Sequence, residues 1–260
     1  MKLVNLNFVD HDKKRGDKPS DIPPNICEDT SFFLDGQMVG FYLKKVPSDV
    51  AEILDFSNKE LRSDRVPKST MNRIKFSGEA DEGGRRNRIV VEQYSTILGA
   101  IQARPHNRRL VANISSVHRK ETAQTFIKLM LLLAKQAGNI INEICPEMYE
   151  HQKKIISKKV PKKFRFTDLF TSSISNYNIA ANYHQDTANL PLVNVIFSKR
   201  ENATGGNLTV PDFDLTFDCC DDSMIVYPAY KSLHGVTPIH PTSRGGYRNS
   251  LVFYPLGGLK

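Results

Sequence analysis

His184-x-Asp186 and, further along the chain, Leu233-His234-Gly235 supply two imidazoles and one carboxylate. Such a set can occupy one face of a metal ion and leave the opposite face open for a co-substrate and O2, as in non-haem iron(II) oxygenases. Beyond it, Arg248-Asn249-Ser250 sets a guanidinium and a hydroxyl at i and i+2. On a strand those two side chains point the same way, and a guanidinium fork matches a carboxylate bidentately, so a dicarboxylate such as 2-oxoglutarate fits there. With 7 His and 28 acidic residues in 260, about 0.75 His-x-acid matches arise by chance, so the dyad alone means little. Its weight comes from the elements that must position it.

Residues 176–183 mix Tyr, Ile and Ala and read as a strand that ends at the His184 motif, and 192–197 is an apolar strand. Gly205-Gly206 makes a turn before residues 207–210; a further run, 224–227, leads to Ser232-Leu233-His234; and 247–254 alternates or runs apolar through Leu251, Val252 and Phe253. Short strands punctuated by Gly, Pro and Asp predict a barrel or jelly roll rather than a doubly wound sheet. The two histidines then lie on separate strands that face one cavity. Among the other histidines, His240, His118 and His106 lack a strand that would aim them inward.

Upstream, residues 1–30 are polar, with Pro23-Pro24 stopping any helix, so a loosely packed arm is expected, with order beginning near Ser31. Asp35-Gly36 between apolar runs predicts a hairpin. Ser48 or Asp49 can cap a short helix that ends before Ser63, and the Gly- and Arg-rich stretch 77–88 reads as a mobile loop. From 119 to 147 apolar residues recur in steps of three and four, through Ala123, Phe126, Ile127, Met130, Ala134, Ala137, Ile141 and Ile144. This predicts a long amphipathic support helix, mostly covered because Leu131 to Leu133 widen its apolar face, and ended or kinked at Pro146.

The opening segment has no apolar run, so no secretory leader is expected. No stretch approaches the length of a membrane span, and an intracellular protein is expected, with nucleus and cytoplasm both open. The cysteines at 27, 145, 219 and 220 have no metal-finger spacing, and the adjacent Cys219-Cys220 pair should stay reduced. A net charge of +8 suggests a polyanionic partner. The basic residues cluster: Lys158, Lys159, Lys162 and Lys163 belong to a lysine-rich segment that carries the chain towards the barrel, Arg85, Arg86 and Arg88 form a second group, and Arg104, Arg108 and Arg109 a third. Clusters flanking one barrel favour phosphate contacts over solvated loops.

The C-terminal ninety residues resemble the TET/JBP family of Fe(II)- and 2-oxoglutarate-dependent dioxygenases, which oxidise the methyl group of 5-methylcytosine or thymine in nucleic acid. The resemblance rests on His184-Gln185-Asp186-Thr187-Ala188-Asn189, on Leu233-His234-Gly235-Val236-Thr237-Pro238 and on Arg248-Asn249-Ser250-Leu251-Val252-Phe253-Tyr254. It implies His184, Asp186 and His234 as catalytic iron ligands, and Arg248 with Ser250 as the 2-oxoglutarate site, in preference to Arg244, which lies in a loop beside Gly245-Gly246. Asn189 and Tyr254 are implied as contacts to an extruded base. Where cytosine-acting relatives carry a histidine two residues after the aromatic, this chain has Leu256, which removes a polar contact.

The expectation is therefore an α+β protein with a double-stranded β-helix core of the jelly-roll or cupin type and N-terminal helical and hairpin support. Residues 1–30 form the arm and 31–260 a single dioxygenase domain, with support over about 31–164 and the core over about 165–258. The expected activity, requiring Fe(II), 2-oxoglutarate and O2, is oxidation of 5-methylcytosine in DNA to 5-hydroxymethylcytosine, with further oxidation open. The expected partner is DNA carrying a methylated pyrimidine, with no membrane, and the expected state is a monomer. Thymine hydroxylation in DNA, hydroxylation of a protein or small molecule, and an inactive nucleic-acid-binding barrel are the alternatives.

Overall fold

The computed structural model describes all residues except 71–73 and 81–85, and it describes 74–80, 86–91 and 107 by backbone alone. Of the ten short strands between Ser172 and Tyr254, eight alternate between two sheets, and Ala203–Gly205 pairs with Ile239–Pro241 in a separate two-stranded ribbon. Ser172–Tyr177, Asn194–Glu201, Met224–Tyr227 and Tyr247–Tyr254 lie in a large sheet, while Ala181–His184, Leu208–Val210, Leu215–Phe217 and His234–Val236 form a small one. A chain that changes sheet at nearly every connection winds as a double-stranded β-helix, and the fold is the expected α+β jelly roll.

The support region extends the same large sheet. Gln37–Leu43 pairs with Met224–Tyr227 on one side and Tyr94–Ile101 with Ser172–Tyr177 on the other, giving ten strands among the described residues. The hairpin of Thr30–Leu34 and Gln37–Leu43 turns through Asp35 and Gly36 at φ 51° and 76°. Two successive left-handed residues match the twist of the flanking strands, which is why Asp-Gly predicts this turn.

Alternation along the central strands separates two interiors. Val195, Phe197, Leu251 and Phe253 face one side of the large sheet, against helices α1 (Ser48–Arg62) and α2 (Gln124–Ile144). Phe126, Met130, Leu133, Ala137 and Ile141 of α2 are buried there, each large apolar side chain contributing about 1.5–3 kcal/mol. Ile196 and Ile225 face the other way and meet Leu208, Val210, Leu215 and Phe217 of the small sheet. Position parity on one strand thus decides between helix core and barrel interior.

Several local expectations are corrected. The arm is tied down: Lys2–Asn5 pairs in parallel with Thr30–Leu34, so order begins well before Ser31. The Gly16 amide donates to Tyr183 and the Tyr183 amide to Asp17, whereas Asn25 and Ile26 both donate to Thr216. Hence one polar segment satisfies both edges of the small sheet, whose backbone groups would otherwise be exposed. Pro19 is buried against Gly235, where a Cβ would come within 2.7 Å of the proline ring. Residues 176–183 are two strands, because Asn178 takes φ 53° and its side-chain oxygen accepts from the Arg248 amide.

The strand expected at 192–197 is Asn194–Glu201. Within 77–88, Ile74–Ala80 and Arg86–Val91 pair as antiparallel strands instead of a loop; the remainder of that stretch, with Arg85, lies outside the described residues. Helix α1 starts after Pro47 without a side-chain cap from Ser48 or Asp49. The long helix ends at Ile144, and Pro146 opens a new one, α3 (Pro146–Lys159), since proline has no amide to lose in a first turn. Leu131 and Leu132 are 36% and 43% exposed, so α2 is covered on one face only. Among the described residues no helix is long and apolar enough to cross a membrane.

Candidate metal and co-substrate site

His184 ends Ala181–His184, and His234 begins the adjacent strand directly opposite it. Their rings lie 4.3 Å apart between centroids, and Nε2 of His184 is 3.7 Å from a carboxylate oxygen of Asp186. One potential ligand atom from each of His184, Asp186 and His234 lies within 4.8 Å of the others, so the structure gathers all three residues.

The hydrogen bonds behind these groups fix which atoms are free. Nδ1 of His184 is 2.7 Å from the carbonyl of Asn182, and Nδ1 of His234 is 3.0 Å from that of Ser232. A carbonyl only accepts, so Nδ1 carries the proton in each ring and the Nε2 lone pair remains for a metal. Burial, reinforced by the neighbouring His184, lowers the pKa of His234 and keeps its imidazole neutral, the form that ligates. On Asp186, Oδ2 accepts from the side-chain amides of Asn194 at 2.9 Å and Asn189 at 3.4 Å, leaving Oδ1 towards His184. No sequence motif singles out Asn194. Its signal is parity, a polar residue on the inward side of an apolar strand, in step with Ile196.

Asn194→Ala is expected to keep the fold and to weaken Mn(II) binding about 10–100-fold, the usual cost of losing a group that orients a ligand. Calorimetric titration of the metal-free protein checks this. An affinity matching the parent would mean that Asn189 alone holds the carboxylate.

Arg248 projects into the barrel interior at 2% exposure, with no carboxylate within ion-pair distance among the described residues and with its Nε unpartnered. Its stem runs past Gly206, where a Cβ would come within 2.9 Å of Cγ, so this glycine clears the path of the arginine. Beside it, Ser250 accepts from Asn176 at 3.3 Å, which leaves the hydroxyl hydrogen of Ser250 free. Ser198, paired in register with Ser250 on the next strand, also has a buried unpartnered hydroxyl. A buried guanidinium without a counter-charge, flanked by unspent donors, fits a bound carboxylate. Arg244 lies in an exposed turn.

Tyr254 shares the inward parity of Arg248 and Ser250 and packs against Leu192 and Leu256. Burial above all, helped by the charge of Asp186, pushes its hydroxyl up to about 12. Asn189 sits on the same wall, bridged to Leu256, with its NH2 turned to Asp186 and Asn194. Lys158, Lys159, Lys162 and Lys163 are exposed at the end of α3 and in the turn after it, where Ile156, Val160 and Phe164 pack with the Leu190, Tyr254 and Leu256 wall. An apolar cavity of about 640 Å³ reaches Tyr227 and Ser232 from another side, but none of the three candidate ligands lines it. His118 accepts the Gly99 amide through Nε2 and His240 pairs with Asp21, so neither joins the site.

This geometry belongs to a known class of fold. No family model matches the chain, and no curated protein does. Among solved structures, NgTET1 in complex with 5mC DNA is similar at a TM-score of 0.58 and 14% identity, over 88% of this chain and 78% of that one. An oxidoreductase of the 2OG-Fe(II) oxygenase family from Burkholderia pseudomallei aligns at a TM-score of 0.43 and 15% identity, covering 83% of this chain and 84% of that one. The likeness to the first of these is one of fold, the double-stranded β-helix that the strand order describes.

Proposed function

We propose that this protein is an Fe(II)- and 2-oxoglutarate-dependent dioxygenase that oxidises the 5-methyl group of 5-methylcytosine in DNA to 5-hydroxymethylcytosine. The observation that carries the reading is Arg248, a buried arginine with no carboxylate partner among the described residues, in the same barrel interior as a His-Asp-His cluster whose free atoms converge. A surface ion pair or a structural histidine explains neither feature. His184, Asp186 and His234 hold the metal through Nε2, a carboxylate oxygen and Nε2. Arg248, with Ser250, grips the distal carboxylate of 2-oxoglutarate and so sets its other end towards the metal.

Bound iron, 2-oxoglutarate and O2 together supply the oxidant that attacks the methyl group. The contribution of the chain is position and exclusion. Tyr254, protonated at neutral pH, offers its ring to an extruded base and its hydroxyl as a donor. Asn189 holds Asp186 with its NH2 and has its amide oxygen left for a base edge such as the cytosine amine. The exposed lysines after α3 supply the sequence-independent grip on phosphates.

Matched duplexes containing only 5-methylcytosine or only thymine as the methylated base, digested after incubation and analysed by mass spectrometry, test the substrate. Hydroxymethyl product from the first supports the proposal. Product from thymine alone overturns the choice of base, and succinate formation with neither duplex oxidised removes DNA as the substrate.

A second expectation concerns affinity. Changing Lys158, Lys159, Lys162 and Lys163 to Gln is expected to weaken binding across sequences and to reduce the slope of log K against log salt by about 0.9 for each phosphate that is no longer neutralised. Fluorescence anisotropy at several salt concentrations measures it, and an unchanged slope would place these side chains away from DNA.

A further inference from the structure

The loop from Arg104 to Ala112 exposes two adjacent aliphatic residues, Leu110 at 75% and Val111 at 66%. They are among the most exposed apolar side chains of the described residues, and water around them is costly unless something covers them. The loop has a defined shape. Arg104 and Arg109 exchange backbone hydrogen bonds at 2.7 and 3.1 Å, Arg108 takes φ 58°, and the Arg109 guanidinium donates back to the Gln102 carbonyl.

The loop is also fastened to the candidate site. The side chain of Gln102 donates to the carbonyls of Ala188 and Gly257, and Ala112 packs into the cluster that contains Tyr254 and Leu256. Arg104 is close enough for its charge to act on the Tyr254 hydroxyl. Thus an apolar pair flanked by the exposed cations Arg104 and Arg108 stands at the rim of the wall that carries Asn189 and Tyr254.

We infer that this loop is a wedge for duplex DNA, with Leu110 and Val111 entering the base stack beside the extruded nucleotide while Arg104 and Arg108 hold the neighbouring phosphates. The inference rests on the nucleic-acid reading of the site and adds how a base leaves a duplex to reach it. Cation spacing around an aliphatic tip suits a surface that is anionic outside and apolar within, and a DNA duplex has that arrangement. Extrusion of a base leaves a gap in the stack, and aliphatic side chains entering it lower the cost of keeping the base out.

Leu110→Ser/Val111→Ser tests the wedge, with Leu110→Met/Val111→Ile as the conservative control, because these exposed positions leave the core untouched. Duplexes carrying 2-aminopurine beside one 5-methylcytosine report unstacking, and anisotropy gives affinity for the duplex and for its single strand. The parent and the conservative variant are expected to raise the fluorescence. The serine variant should lose that signal and bind duplex roughly tenfold more weakly, yet bind the single strand as the parent does, since no stack has to be opened there. Equal duplex affinity and equal fluorescence in the serine variant overturn the wedge while leaving the DNA reading intact. A parent protein that binds neither form overturns the nucleic-acid reading itself.

Discussion

Asp186→Ala is expected to abolish succinate formation and base oxidation, by on the order of 10³-fold or more, equivalent to about 4 kcal/mol of barrier. The carboxylate is the single anionic member of the candidate ligand set, and no other acid is grouped with His184 and His234 to replace it among the described residues. The fold should survive. Asp186 is one-third exposed, its backbone bonds to Ala229 and Asn189 do not involve the side chain, and the amides of Asn194 and Asn189 that it releases can turn to each other or to water. A melting temperature near that of the parent, with Mn(II) binding lost in calorimetry, is the expected pair of results. Oxidation of DNA retained in this variant would remove Asp186 from the site.

The second large effect is at Arg248. Arg248→Lys is expected to raise the concentration of 2-oxoglutarate required by roughly 30-fold to several thousandfold, or about 2–5 kcal/mol, because a point charge on a flexible stem cannot reproduce a planar fork held against a carboxylate. Arg248→Met should lose measurable 2-oxoglutarate binding and yet melt at or above the parent temperature in the absence of co-substrate. That opposite movement follows from burial: at 2% exposure, with Nε unpartnered, the guanidinium is costly to the empty protein and is compensated only when an anion arrives. Arg244→Lys, in an exposed turn, should change neither quantity. Calorimetry with the Mn(II)-loaded protein and thermal melts without co-substrate read both. A reversed pair, with Arg244 the sensitive position, would move the anchor to the turn.

How much of this is legible in the sequence depends on whether the signal is local. The strand at Tyr247–Tyr254 is readable at its observed limits because its alternation separates Arg248, Ser250 and Tyr254 from Leu251 and Phe253. Asp35-Gly36 works for the same reason, since its turn needs only the backbone freedom of two residues. The buried face of α2 follows its three- and four-residue steps, but the exposure of Leu131 and Leu132 does not, because the periodicity of a helix does not say how wide its partner is. The arm misleads for a related reason. A segment such as 14–26 docks through backbone hydrogen bonds to strand edges, and such bonds leave no pattern in side-chain polarity.

Residue types and spacing by themselves determined the donors on offer: two imidazoles and a carboxylate, an inward arginine with a serine two places on, and strands short enough for a jelly roll. Only the tertiary structure decided how those donors meet. The register that sets His184 opposite His234, the reach of Asn194 to Asp186, the clearance at Gly206 for the Arg248 stem and the fastening of the Arg104–Ala112 loop beside Tyr254 all join residues distant in the chain. A sequence records which face of a strand a side chain occupies, because alternation is local. Which strand lies opposite is settled by the packing of the whole barrel, where a shift of one residue would turn each of these groups to the other face.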